Sequence, residues 1–170
     1  MKIAKLLLLS VAVILFSCDE DDPMPTSKGM VGTWTMTAVD YKGSTTTSAQ
    51  GVNLKADFTG TGKDMNMIAT FTETPNNFTT EGSYTIVLKT TMMGQTETEE
   101  VPFEGVFADG TWTLSGNTLT INTPDGPEKA TVIEQTATTL KFKAVIDETE
   151  TDMGFTVTTK VEAVYAFQKK

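Results

Sequence analysis

One thiol, 22 carboxylates and no imidazole limit what this 170-residue chain can do by side-chain chemistry. The thiol is Cys18, in the stretch LFSCDEDD, held between an apolar run and the acids Asp19, Glu20, Asp21 and Asp22. A nucleophilic cysteine or serine of the triad type needs a histidine beside it, and the chain has none. A thiolate cluster for zinc needs partners that a lone cysteine lacks. All 13 basic residues are lysines, so no guanidinium is present to grip a phosphate with two parallel hydrogen bonds. With a net charge of −9 the chain is also a poor partner for nucleic acid, whose affinity rests on neutralising phosphates. Carboxylates remain. Two of them about 5 to 9.5 Å apart could hydrolyse a glycoside, but acids are spread so widely that spacing selects no pair. Asp147, Glu148, Glu150 and Asp152 could gather around calcium, yet their order departs from the ligand spacing of an EF-hand loop. The expectation is a protein without catalytic residues, cofactor or metal.

The thiol has a second use, as a point of attachment. Lys2 and Lys5, the apolar run 6–16 and the small Ser17 have the three-part form of a secretory signal. The run is short of the roughly 20 apolar residues that a membrane-crossing helix needs. By its surroundings alone, Cys18 is either the incidental end of an apolar stretch or a modification site. Leu15-Phe16-Ser17-Cys18 resembles the lipobox of bacterial lipoproteins. That resemblance implies a signal at 1–17, cleavage just before Cys18, and diacylglycerol on its sulfur. The one thiol would then be used by lipid, and two or three acyl chains at about 0.8 kcal/mol per buried methylene hold a protein on a membrane without crossing it. Residues 18–28 continue as acids followed by Pro23 and Pro25, a composition that stays extended as a tether. Asp19 to Asp22 read either as solvated linker or as an address. They resemble the export signal of surface lipoproteins in Bacteroidetes-type bacteria, which implies outer-membrane attachment, with cell-surface exposure as one of two orientations.

Residues 29–170 must supply whatever the anchor carries, and they are enough for one self-sufficient core. Their hydrophobic period is two. Trp34, Met36 and Ala38 alternate with threonines, as do Met65, Met67, Ala69 and Phe71 with Asn66, Thr70 and Thr72; Leu140, Phe142, Ala144 and Ile146 share a face. The run Phe155, Val157, Val161, Ala163, Tyr165, Phe167 is the clearest. Alternation of this kind predicts half-buried antiparallel strands. Threonine, about a fifth of the chain, suits a pleat by its β-branch and water by its hydroxyl. Ser115-Gly116-Asn117 and Thr123-Pro124-Asp125-Gly126-Pro127 predict tight hairpins. The acidic segments 97–100 and 147–152 read as hairpin ends or edges, and 45–53 as an irregular loop or short helix. The count is about eight to ten strands, in a sandwich or barrel.

Gly32-Thr33-Trp34-Thr35-Met36 and Gly110-Thr111-Trp112-Thr113-Leu114 begin alike and then diverge, as two strand starts would. The first resembles the Gly-X-Trp signature that opens lipocalins. The segments 110–121 and 131–142, with the closing Val164-Tyr165-Ala166-Phe167, resemble in order and spacing the lipocalin-like domain of Bacteroidetes lipoproteins. The resemblance implies an all-β, antiparallel, up-and-down barrel with Gly32 and Trp34 at its floor. It departs at two points: the Thr-Asp-Tyr loop motif is missing, and the C-terminal arginine that lipocalins pack on the floor tryptophan has no counterpart, leaving Lys160, Lys169 or Lys170 to cover Trp34. Two functions fit the inward faces. Met36, Met67, Phe71, Tyr84, Phe142 and Tyr165 could line a cavity for a small hydrophobic ligand. Alternatively they fill the barrel, and loops carrying exposed aromatics such as Phe78 meet a protein or glycan or inhibit an enzyme.

Overall fold

The computed structural model describes residues 24–170. Cys18, Asp19, Glu20, Asp21 and Asp22, the signal at 1–17 and most of the tether lie outside the described residues. From Gly32 onward the chain is almost entirely strand, in one antiparallel sheet. Eight strands close on themselves: β1 (Gly32–Ala49), β3 (Ile68–Phe71), β4 (Asn77–Glu81), β7 (Gly110–Ser115), β8 (Thr118–Thr123), β9 (Gly126–Gln135), β10 (Thr139–Asp152) and β11 (Phe155–Lys169). The ring closes where β11 returns to β1, from Trp34 opposite Lys169 to Ala49 opposite Phe155. The other edge of β1 is shared. Its first residues pair with β3, Trp34 opposite Ala69; its later residues pair with β2 (Val52–Lys63), Tyr41 opposite Gly60. The order continues from β2 to β5 (Tyr84–Met92) and β6 (Gln95–Phe103), a three-stranded wing ending in the unpaired outer edge of β6.

Most boundaries follow from local chemistry. Gly116 (φ 59°) turns β7 into β8, and Gly126 (φ 129°) follows the Pro124-Asp125 turn into β9, as the two hairpin signals predict. Residues 45–53 correct the expectation of a loop or helix. The β-branched Thr45, Thr46 and Thr47 prolong β1, and Gln50 and Gly51, at φ 48° and 82°, make a two-residue turn into β2. Both central residues at positive φ match the twist of the flanking strands. This hairpin and the wing bring the total to eleven strands instead of eight to ten.

A second correction concerns parity. A bulge between Met36 and Ala38 in the pairing of β1 with β11 inserts one residue, so that the inward face shifts from Trp34 and Met36 to Val39 and Tyr41, leaving Ala38 off it. The ring interior is packed with aromatic and aliphatic side chains. Phe142 stacks between Phe107 (5.8 Å) and Phe167 (5.3 Å), and Phe71 lies 4.9 Å from Phe78 and 5.6 Å from Trp112. Phe78 is buried, not displayed.

At the floor, Trp34 is fully buried and its indole N–H donates to the Met30 carbonyl (2.8 Å). Met30 ends a single helical turn, α1 (Ser27–Met30), capped by the Thr26 hydroxyl, which accepts from the Gly29 N–H. Gln135 accepts from the Thr26 N–H and donates to its carbonyl, fastening the chain to the barrel at this point. Of Lys160, Lys169 and Lys170, it is Lys169 that covers Trp34. Its Nζ lies 5.0 Å from the Trp34 ring centre and donates to the Val31 carbonyl. Gly32 makes room: at φ 139° it holds a conformation few other residues adopt, and a Cβ there would come 2.7 Å from Lys169 Cε.

Candidate functional site

Because Phe107, from the segment joining β6 to β7, packs on Phe142 and on Tyr165 (6.4 Å), the ring is filled. The open space lies beyond this plug, between the wing and the upper parts of β9, β10 and β11. Two free edges border it. Among the described residues β6 has no outer neighbour, and β9 pairs with β10 only as far as Ala144, so β10 runs on from Val145 with β11 alone beside it. The result is a cleft of about 670 Å³, within the roughly 300 to 1,000 Å³ range of small-molecule sites. Ile86, Leu88, Val101 and Phe103 form the wing-side wall; Ala144, Ile146, Val161 and Ala163 form the other. Stacking of Phe103 on Tyr84 (5.3 Å) and its edge contact with Tyr41 (6.0 Å) fix the inner end.

Polar atoms enter this apolar setting in a defined way. The Tyr41 hydroxyl lies 3.0 Å from that of Tyr84 and 2.9 Å from that of Tyr165, and these are all the tyrosines of the chain. Burial, the largest cause at both Tyr84 and Tyr165, raises their pKa well above the phenolic range, so both stay neutral donors at physiological pH. Three hydroxyl protons serve two hydrogen bonds. Each hydroxyl can donate or accept, and those of Tyr41 and Tyr165 stand at the cleft wall. The other polar group is Glu128. It shares the inward face of β9 with buried Ala130 and Val132, stands opposite buried Ile121 and borders the mouth. Desolvation raises its carboxyl pKa above the ordinary value, with the Ala108 N–H acting against that and the charge of Asp125 adding to it.

The six residues singled out as ligand contacts divide between core and cleft. Tyr165 lines the cleft and Tyr84 touches it through the hydroxyl triad, whereas Met36, Met67, Phe71 and Phe142 lie in the packed interior. Sequence reasoning did not single out Tyr41, Phe103 or Glu128. Tyr41 was hidden by the bulge. Phe103 follows Pro102 in a strand whose inward positions before Val101 are the polar Gln95, Glu97 and Glu99, which masks the alternation. The acids 147–152 form no ligand cluster: Glu148, Glu150 and Asp152 follow one another along one face of β10, and Asp147 lies on the other, where it pairs with Lys160 (2.8 Å). No group of three potential metal ligands occurs among the described residues.

A closed antiparallel barrel with an apolar cleft beside its packed interior defines a β-barrel of the kind suited to holding small molecules. A family model described as the lipocalin-like domain matches residues 30–142, more than half of the chain. The chain belongs to that family. No curated protein and no solved structure matches it.

Proposed function

We propose that this is a non-catalytic, lipid-anchored extracytoplasmic protein that holds one small, mainly apolar ligand in the cleft between wing and ring. The observation that carries the reading is the cleft itself: a built, largely apolar space with the hydroxyls of Tyr41 and Tyr165 at its inner end. The ligand therefore has an apolar body and a small polar group. Display of aromatic loops to a partner is the weaker reading, since Phe78 is core. Purified protein mixed with long-chain alcohols below their aggregation concentration should take up one molecule each, seen as added mass in native mass spectrometry. Saturating ligand at about a hundredfold over Kd should stabilise the fold by about 2.7 kcal/mol. Neither added mass nor a thermal shift across a broad set of apolar compounds would sink this function.

The anchor rests on Cys18 and its lipobox-like setting, with Asp19, Glu20, Asp21 and Asp22 as the outer-membrane export signal. The fold suits it: Thr26, a short distance along the chain, is fastened at the floor, so the cleft at the opposite end faces away from the attachment point. Cys18→Ala should leave an uncut precursor that carries no lipid, read by metabolic labelling with fatty acid. Normal processing and membrane retention of that variant would refute the anchor.

A further inference from the structure

Strand alternation sorts the charges around the cleft by sign. Glu99 stands directly opposite Leu88 of the cleft wall, and Glu97 opposite Thr90, so both are on the inner face of β6. Glu148 follows Ile146 on the inner face of β10, and Glu128 precedes Ala130 on that of β9. The lysines of the bordering strands occupy the alternate, outward positions. There Lys42 (2.8 Å) and Lys143 (3.4 Å) pair with Glu162, Lys63 pairs with Glu100 (2.7 Å), and Lys160 pairs with Asp147. Lys129, next to Glu128 in sequence, borders the rim from the outward side of β9. None of Glu97, Glu99, Glu128 and Glu148 has a lysine within ion-pairing distance among the described residues.

The concave side thus carries an apolar base and an acidic mouth. We propose that the ligand is a cationic amphiphile, an apolar body with an amine head, and that Glu128 receives that head at the cleft mouth. The proposal rests on the cleft being the binding site. A half-buried carboxylate without a counter-charge is costly, and the upward shift of its pKa shows the environment working against its charge. A protonated amine would supply both the charge and N–H donors, the strong form of hydrogen bond. An anionic head would meet four glutamates instead.

Three probes with one chain length separate the possibilities: dodecylamine, dodecanol and dodecanoate, titrated into the purified protein below their aggregation concentrations. The amine should bind at least about tenfold more tightly than the alcohol, and dodecanoate most weakly. Glu128→Gln, checked for an unchanged melting temperature, should bring the amine to the level of the alcohol and leave the alcohol unaffected. Glu128→Ala should do the same, as a second variant. Glu73→Gln, at an exposed acid in the β3–β4 turn that takes no part in the cleft, should leave the preference intact. An amine bound no better than the alcohol overturns the head-group assignment while the cleft reading stands. Equal losses in the Glu73 and Glu128 variants would overturn it too, as a general surface-field effect. If none of the three binds, the cleft reading itself falls. If neither Glu128 variant folds, the order of the three affinities in the native protein decides.

Discussion

Replacing Trp34 with alanine should lower the stability of the protein by about 3 to 5 kcal/mol, measured by denaturant unfolding followed by circular dichroism. The size comes from three losses at one place. The indole is fully buried at the ring floor, so its removal leaves a cavity bounded by strands that are paired on both sides and cannot collapse freely. Its N–H is the partner of the Met30 carbonyl, which would lose the bond holding α1 against the barrel. Its ring face is the seat of the Lys169 ammonium, which would lose a cation–π contact. Against a usual total of about 5 to 15 kcal/mol, the variant should be near the edge of folding. Trp34→Phe, which keeps a ring face but no N–H, should fall between. A loss below about 1 kcal/mol for the alanine variant would mean that the floor is not a load point of the fold.

Val161→Trp should weaken ligand binding about a hundredfold while leaving the strands intact. Val161 is half-buried in the cleft wall, opposite Gly43 on one side and Ile146 on the other. A larger side chain there grows into the empty space and not into the packed ring. At about 0.8 kcal/mol per buried methylene, excluding three or four methylenes of a ligand costs roughly two orders of magnitude in affinity. Overpacking would cost the fold about 1 to 3 kcal/mol only where no space existed, so a nearly unchanged melting temperature is part of the expected result. An affinity within about threefold of the native value would move the ligand out of the cleft.

How much of this was legible in the sequence depended on whether a local rule met a tertiary one. The run from Phe155 to Phe167 reads as a strand because β10 keeps one register with it from end to end and the inserted residue of the other pairing lies in β1. The Gly116-Asn117 and Pro124-Asp125 turns follow from residues that carry their own backbone preference. Gly32 and Trp34 mark the start of β1 for the same reason. Alternation says which residues share a face but not how far along the barrel axis each one sits. That is why Met36, Met67 and Phe142, inward-facing as expected, belong to the filled ring, while the space opens higher up beside Tyr165. A single inserted residue between Met36 and Ala38 inverts parity, and nothing in the sequence around it announces the change. The branching of β1 into ring and wing was equally silent, because a strand with two successive neighbours on one edge has no composition of its own.

The last strand also sets the order in which the molecule can be completed. β1 meets β11 across nearly the whole length of the chain, and Lys169, which covers Trp34, is the penultimate residue. Contacts so distant in sequence demand the largest loop-closure entropy and form slowly. The wing and the β7–β8–β9 meander consist of short-range hairpins and can be in place first. Until β11 docks, β1 therefore presents one bare edge, and the floor has no lid. Closing the ring and sealing the floor are a single late event, so vulnerability to misassembly lasts until β11 docks on β1, and ends all at once.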